Sequence, residues 1–108
     1  MAIARKITQF TKQEIDILWK SVHPVLRHDG LLLLKAPRTG TFARILMVIP
    51  KKVGSAPTRN KIRRQLHAIF YEHNLYTKEY DWIVVIKKPA THLPFQVLQE
   101  LLLGAMVQ

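Results

Sequence analysis

The segment 51–64 reads Lys-Lys-Val-Gly-Ser-Ala-Pro-Thr-Arg-Asn-Lys-Ile-Arg-Arg, six cations without a single acid. Its Gly and Pro, followed by Thr and then by helix formers, order it as a loop that enters a helix. Helix starts already present unpaired backbone N–H groups and the positive end of the dipole. Four further cations, Arg59, Lys61, Arg63 and Arg64, in the first turns oblige the fold to keep this end at its surface. The helix is expected from about residue 58 to about 71, with Thr58 as N-cap behind Pro57. Ile62, Leu66, Ile69 and Phe70 then share one face, while Asn60, Arg64 and His67 point the opposite way and Lys61 and Arg63 flank them. Arg59 lies by helical angle over the apolar stripe, where a long side chain can pass the end of a core. So much positive charge at a helix start suits phosphate.

The flanking segments supply the rest of a small α+β layer. Residues 11–22 read as a first helix, with Thr11 able to cap and Glu14 three positions later as in a capping box; Ile15, Leu18, Trp19 and Val22 fall at helical spacing. Pro24 and Gly30 bracket its exit. Residues 31–35 and 43–49 are short apolar runs separated by Pro37, Thr39 and Gly40, and are expected to pair as an antiparallel hairpin. Residues 81–87, with Trp82, Ile83, Val84, Val85 and Ile86, form the strongest strand; following a helix, this strand implies a βαβ crossover. A last helix over 94–106 would bury Val97, Leu98, Leu101, Leu102 and Ala105, with Pro94 in its first turn. The expected organisation is one RNA-binding domain over 1–108.

Charge and composition narrow the partners. The 108 residues carry 17 Lys plus Arg against 7 Asp plus Glu, and 30–71 holds no acid against nine basic residues. That field favours a polyanion, and its interleaving with apolar runs shows that the positive surface is folded. The absence of cysteine excludes a disulfide framework and a thiolate metal site. No apolar run is long enough to span a bilayer and the first ten residues lack the pattern of a secretory signal, so the expected location is cytoplasmic. His23, His28, His67, His73 and His92 lack the spacings of a zinc site, the carboxylates form no pair for acid/base work, and no nucleophile elbow or phosphate loop is present. No catalytic residue, metal ligand or side-chain-bound cofactor is therefore expected in the polypeptide.

The order Lys51-Lys52-x-Gly54-x-Ala56-x-x-Arg59-Asn60-x-x-x-Arg64-x-Leu66 resembles the signature of the bacterial ribonuclease P protein subunit. The resemblance extends over nearly the whole chain: first helix, strand hairpin, signature helix, the 81–86 strand, and Lys88-Pro89-Ala90 leading into a final helix. It implies a small mixed or antiparallel sheet of three to four strands with three helices, related to a ribosomal protein domain and containing a left-handed βαβ crossover, against the usual right-handed rule. It also implies that a partner RNA, which requires Mg2+, cleaves the 5′ leader from precursor tRNA, and that the protein binds both RNAs with no membrane and no protein partner. By position, Lys51, Lys52, Arg59, Asn60, Lys61, Arg63, Arg64 and His67 would face the catalytic RNA. The leader would lie in a cleft between the first helix and the sheet, lined by Ile15, Trp19, Leu31 and Leu33. Lys61 and Arg63 exchange the usual Arg and Lys, His67-Ala68 replaces a common Arg-Glu pair, and leucines stand where the family's first strand offers aromatic residues. Trp19 is read equally well as a cleft wall or as a core residue.

Two other readings stay open. A structural RNA-binding protein, such as a ribosomal component, would share the basic helix and lack the leader cleft. A basic helix on a membrane surface would need an apolar face free opposite its cations, and here residues 62–70 commit that face to a core.

Overall fold

Residues 31–36 and 81–86 are apolar at nearly every position, as a strand must be when both of its faces are covered. The computed structural model, which describes residues 3–107, places both at the centre of a four-stranded sheet. Its elements are α1 (Ile3–Lys6), α2 (Lys12–Ser21), β1 (His23–Arg27), β2 (Leu31–Pro37), β3 (Ile45–Val48), α3 (Ala56–Glu72), β4 (Tyr80–Ile86) and α4 (Phe95–Met106). Short 3-10 turns lie at Lys51–Val53, Leu75–Thr77 and Lys88–His92. The sheet order is β1-β2-β4-β3. β1 and β4 flank β2 antiparallel, and β3 pairs with β4 in parallel, so the chain is α+β with a mixed sheet and one helix more than expected.

Three expectations are corrected by this topology. The segments around 31–35 and 45–48 do not form a hairpin, because β4 inserts between them. The connecting loop is instead tied to the start of β4: the Arg38 amide donates to the Glu79 carbonyl, and the Arg44 amide to the Asp81 carboxylate. A strand as apolar on both faces as β4 has to be central, and this loop carries β3 past it. Residues 23–27, expected only to bracket a helix exit, form the edge strand β1. Pro24 can occupy it because an edge leaves half of its backbone groups unpaired, and the register shifts between Pro24 and Leu26. Finally, α3 starts earlier than expected. Ser55 is its N-cap, accepting from the Thr58 amide, with Pro57 in the first turn, where its missing N–H is no loss.

Two apolar layers sandwich the sheet. On one face Leu31, Leu33, Ile45, Trp82, Val84 and Ile86 meet Ile62, Leu66, Ile69 and Phe70 of α3 and Leu98, Leu102 and Met106 of α4. Each fully buried aliphatic or aromatic side chain contributes about 1.5–3 kcal/mol. On the other face Leu34, Ala36 and Ile83 pack with Leu18 of α2. The capping box on α2 forms as the sequence predicts, with the Glu14 amide donating to Thr11 and the Thr11 amide to Glu14. Gly30 closes the β1–β2 turn against the Lys88–His92 turn, where a Cβ would lie 3.2 Å from both the Ala90 N and Cα.

Candidate nucleic-acid interface

The basic run is displayed by buried anchors. Val53 is buried in the turn that carries Lys51 and Lys52, both exposed. In α3, Ile62 and Leu66 are sequestered in the core while Asn60, Lys61, Arg63 and Arg64 are exposed. The cations thus stand on a rigid helix whose opposite face is fully engaged, so little ordering is needed when they meet a ligand. Asn60 Oδ1 accepts from Arg63 Nη1 at 2.8 Å, which orients that guanidinium along the helix. Arg59 behaves differently: its Nε donates to the Gly54 carbonyl at 3.2 Å, closing the loop onto the helix and resolving its ambiguous angle. His67 does not project outward as expected. It is half-buried, its Nε2 meets the Ala4 carbonyl, and its ring stacks on Tyr71, so it fastens α1 to α3.

The second surface is the sheet face on which α2 sits. Cross-strand pairs share a face, so the registers Leu32 with Val85 and Leu46 with Ile83 mark it as the face of even-numbered β2 residues. Leu31 and Leu33 are corrected here: both have 0 % exposure and lie in the α3–α4 core, and neither can line a cleft beneath α2. Their neighbours Leu32 and, further across, Leu46, Val48 and Val85 are the half-exposed apolar residues of that face. Ile15 is half-buried, and Trp19 is 43 % exposed, which decides between its two readings against the core. One turn apart on α2, they form an apolar ridge beside Leu18.

Arg44, which the sequence reading passed over, clamps the start of α2 to the sheet. Its Nη1 lies 2.9 Å from Glu14 Oε2 and 3.0 Å from the Gln9 carbonyl, and its guanidinium covers the Phe10 ring at 4.4 Å. The Thr11 amide and then Arg44 hold the Glu14 carboxyl below its ordinary pKa. Asp81 accepts the Arg44 amide at 2.9 Å; burial pushes its carboxyl up, more than that bond and the Arg44 and Arg38 charges pull it down.

Cations also rim the open end of this face. Arg27 pairs with Leu32 and so shares its face, and strand alternation puts Lys87 on the side of Val85. Both are exposed. The Lys51–Val53 turn packs against the Lys88–His92 turn, which joins this rim to the α3 cations in one positive belt. The arrangement can do two things chemically: grip phosphates along α3, and hold an extended strand with apolar bases over an aliphatic floor. Among the described residues, no three His, Cys, Asp or Glu side chains group together as metal ligands, and no helix is long and apolar enough to cross a membrane.

Comparison with known proteins identifies relatives of this chain and of its fold. The family model described as Ribonuclease P matches residues 5–108. A ribonuclease P protein component from Phytoplasma australiense is 30% identical over 97 residues, covering 88% of this chain and 84% of that protein. One from Halalkalibacterium halodurans is 32% identical over 62 residues, 56% of this chain; there the match spans only about half of the relative's length, 52%. In fold, the chain superposes on the ribonuclease P protein of Staphylococcus aureus with a TM-score of 0.80 at 20% identity, covering 94% of this chain and 93% of that one.

Proposed function

The chain belongs to the ribonuclease P protein family, and from that premise we propose that it binds a catalytic RNA through the α3 belt and the 5′ leader of precursor tRNA beneath α2. In this reading the RNA cleaves, in the cytoplasm, and the polypeptide has no active site of its own. Lys51, Lys52, Lys61, Arg63 and Arg64 neutralise phosphates and release their counterions. Arg63, oriented by Asn60, is placed for bidentate contact, which a lysine cannot make, and Asn60 is exposed beside it to meet a 2′-hydroxyl or base edge. Arg59 acts through the loop it closes as well as by its charge. The Mg2+ that the RNA needs stays with the RNA; by lowering phosphate repulsion, the protein reduces how much of it is required.

For the leader, the floor is Leu32, Leu46, Val48 and Val85, the ridge is Ile15 and Trp19, and the rim is Arg27 and Lys87. An aliphatic floor with one exposed tryptophan stacks bases without reading their edges, so the leader is held with little sequence preference. The observation that carries the proposal is the separation of two surfaces: cations on the outer face of α3, and a half-open apolar sheet face under α2. The test is cleavage of a 5′-labelled precursor tRNA by a bacterial-type ribonuclease P RNA at low magnesium. Stimulation at the mature 5′ end, dependent on that RNA and reduced when the leader is shortened, is expected. Tight RNA binding without stimulation, by this or the cognate RNA, would point to a purely structural RNA-binding role.

A further inference from the structure

Among the described residues of α2, only Leu18 is buried, against four residues in α3 and three in α4. A single buried anchor fixes a helix at one point and leaves it free to roll and tilt about that point. At its C-terminal end α2 passes through Val22 into β1. At its N-terminal end the restraint is Arg44. The backbone of Arg44 is held on both sides, its amide donating to Asp81 Oδ1 at 2.9 Å and its carbonyl accepting from the Trp82 amide at 2.9 Å. From that rigid point the side chain reaches the Gln9 carbonyl, the Phe10 ring and the Glu14 carboxylate. The capping box with Thr11 fixes Glu14 in turn.

Glu14, one turn before Leu18, lies to one side of the buried stripe of α2, and Ile15 and Trp19 lie to the other. Gripping Glu14 therefore opposes any roll that would lift the ridge away from Leu32, Leu46 and Val85. The height of that ridge matters because dispersion is short-ranged: a gap widened by about 0.5–1 Å forfeits roughly a quarter to a half of the attraction. Arg44 itself is badly placed to hold RNA, since its side chain is only 13 % exposed and its charge is already met by Glu14. Resting on the leader-binding reading above, we propose that Arg44 is a positioning residue for the leader. It touches no RNA, and sets the height and roll at which Ile15 and Trp19 close over a stacked base.

The test measures the affinity of the complex with ribonuclease P RNA for noncleavable precursor tRNA and for leaderless tRNA, over a salt series. Arg44→Ala is expected to weaken binding of the leader-bearing RNA by about fivefold or more, as when a stacked base loses part of its platform. Leaderless tRNA should bind as before, and the slope of log K against log salt should not change. In a Trp19→Ala background the same replacement should cost less than about twofold, because residues acting through one contact do not add. Arg44→Lys keeps a charge beside Glu14 but not the planar fork, so it should fall between; it carries the comparison if Arg44→Ala unfolds. A slope flatter by about 0.7 to 0.9 would make Arg44 a phosphate ligand and overturn the positioning role. Additive losses with Trp19→Ala, or equal losses with and without the leader, would overturn it in favour of fold stability alone. Equal affinity of the unaltered complex for both RNAs would instead overturn the leader-binding reading itself.

Discussion

Replacing Arg63 and Arg64 together by alanine isolates the electrostatic part of RNA binding. Both side chains are exposed; Arg63 has one side-chain partner, Asn60, and no ion pair or hydrogen bond of the Arg64 side chain is found among the described residues. Exposed substitutions of this kind change stability by less than about 0.5 kcal/mol, so the variant keeps its fold and melting temperature. Each phosphate contact contributes about 0.7 to 0.9 to the slope of log K against log salt, so losing two should flatten that slope by roughly 1.4 to 1.8. At about 0.15 M salt the same counterion argument gives on the order of twentyfold weaker binding. Anisotropy of labelled catalytic RNA, measured over a salt series from about 0.05 to about 0.2 M, reads both quantities. Parallel lines for the two proteins would refute the reasoning, since weaker binding with an unchanged slope means that the arginines act through shape rather than through phosphate. Arg59→Ala makes the contrast: its bond to the Gly54 carbonyl is lost as well, so it should lower the melting temperature and flatten the slope together.

Trp19→Ala should leave stability nearly unchanged, because the side chain is exposed, and should weaken binding of leader-bearing precursor tRNA by ~1 to 3 kcal/mol while sparing catalytic-RNA assembly; equal losses in the two binding assays would sink the two-surface arrangement. Leu33→Ala should do the reverse, costing about 2–5 kcal/mol of stability through a core cavity, read by urea unfolding, with no loss specific to the leader. Asp81→Asn keeps an oxygen for the Arg44 amide. Because burial raises the native carboxyl above its ordinary pKa, ionising Asp81 subtracts stability as pH rises through that raised value. The variant should therefore gain on the wild type at neutral pH and lose the advantage as pH falls into the carboxylate range; denaturation midpoints at the two pH values showing the opposite order would disprove this. Gly30→Ala should destabilise by about 1–3 kcal/mol, since its Cβ meets the Ala90 backbone as well as the Leu93 side chain and the backbone cannot swing aside, as a thermal melt would show.

Much of this protein is legible locally. Thr11 and Glu14 announce a capping box because both partners lie within one turn, and the stripe Ile62, Leu66, Ile69, Phe70 separates core from cations because helical spacing alone decides it. The 81–86 run declares a central strand by being apolar on both faces. The loop and helix of the signature over 51–66 are legible for the same reason, since contiguous residues keep their relation in any fold. Other features were decided only in three dimensions. Leu31, Leu32, Leu33 and Leu34 carry no alternation, so their assignment to the two faces depends on the register with β4 and β1, and of the four expected cleft residues Leu31 and Leu33 lie on the other face. Ser55 rather than Thr58 caps α3 because two hydroxyls three residues apart compete and the packing of the preceding turn chooses. Trp19 is at the surface because Leu18, flanked by Phe10 and Val22, fills the space above Ile83 and Leu34, and Arg44 became a clamp only when α2 crossed the sheet end beside it. The order β1-β2-β4-β3 and the free edge of β3 likewise had no sequence signal. Spacing along a chain determines which residues share a helix face, whereas which strands become neighbours is set by the burial of every apolar face at once.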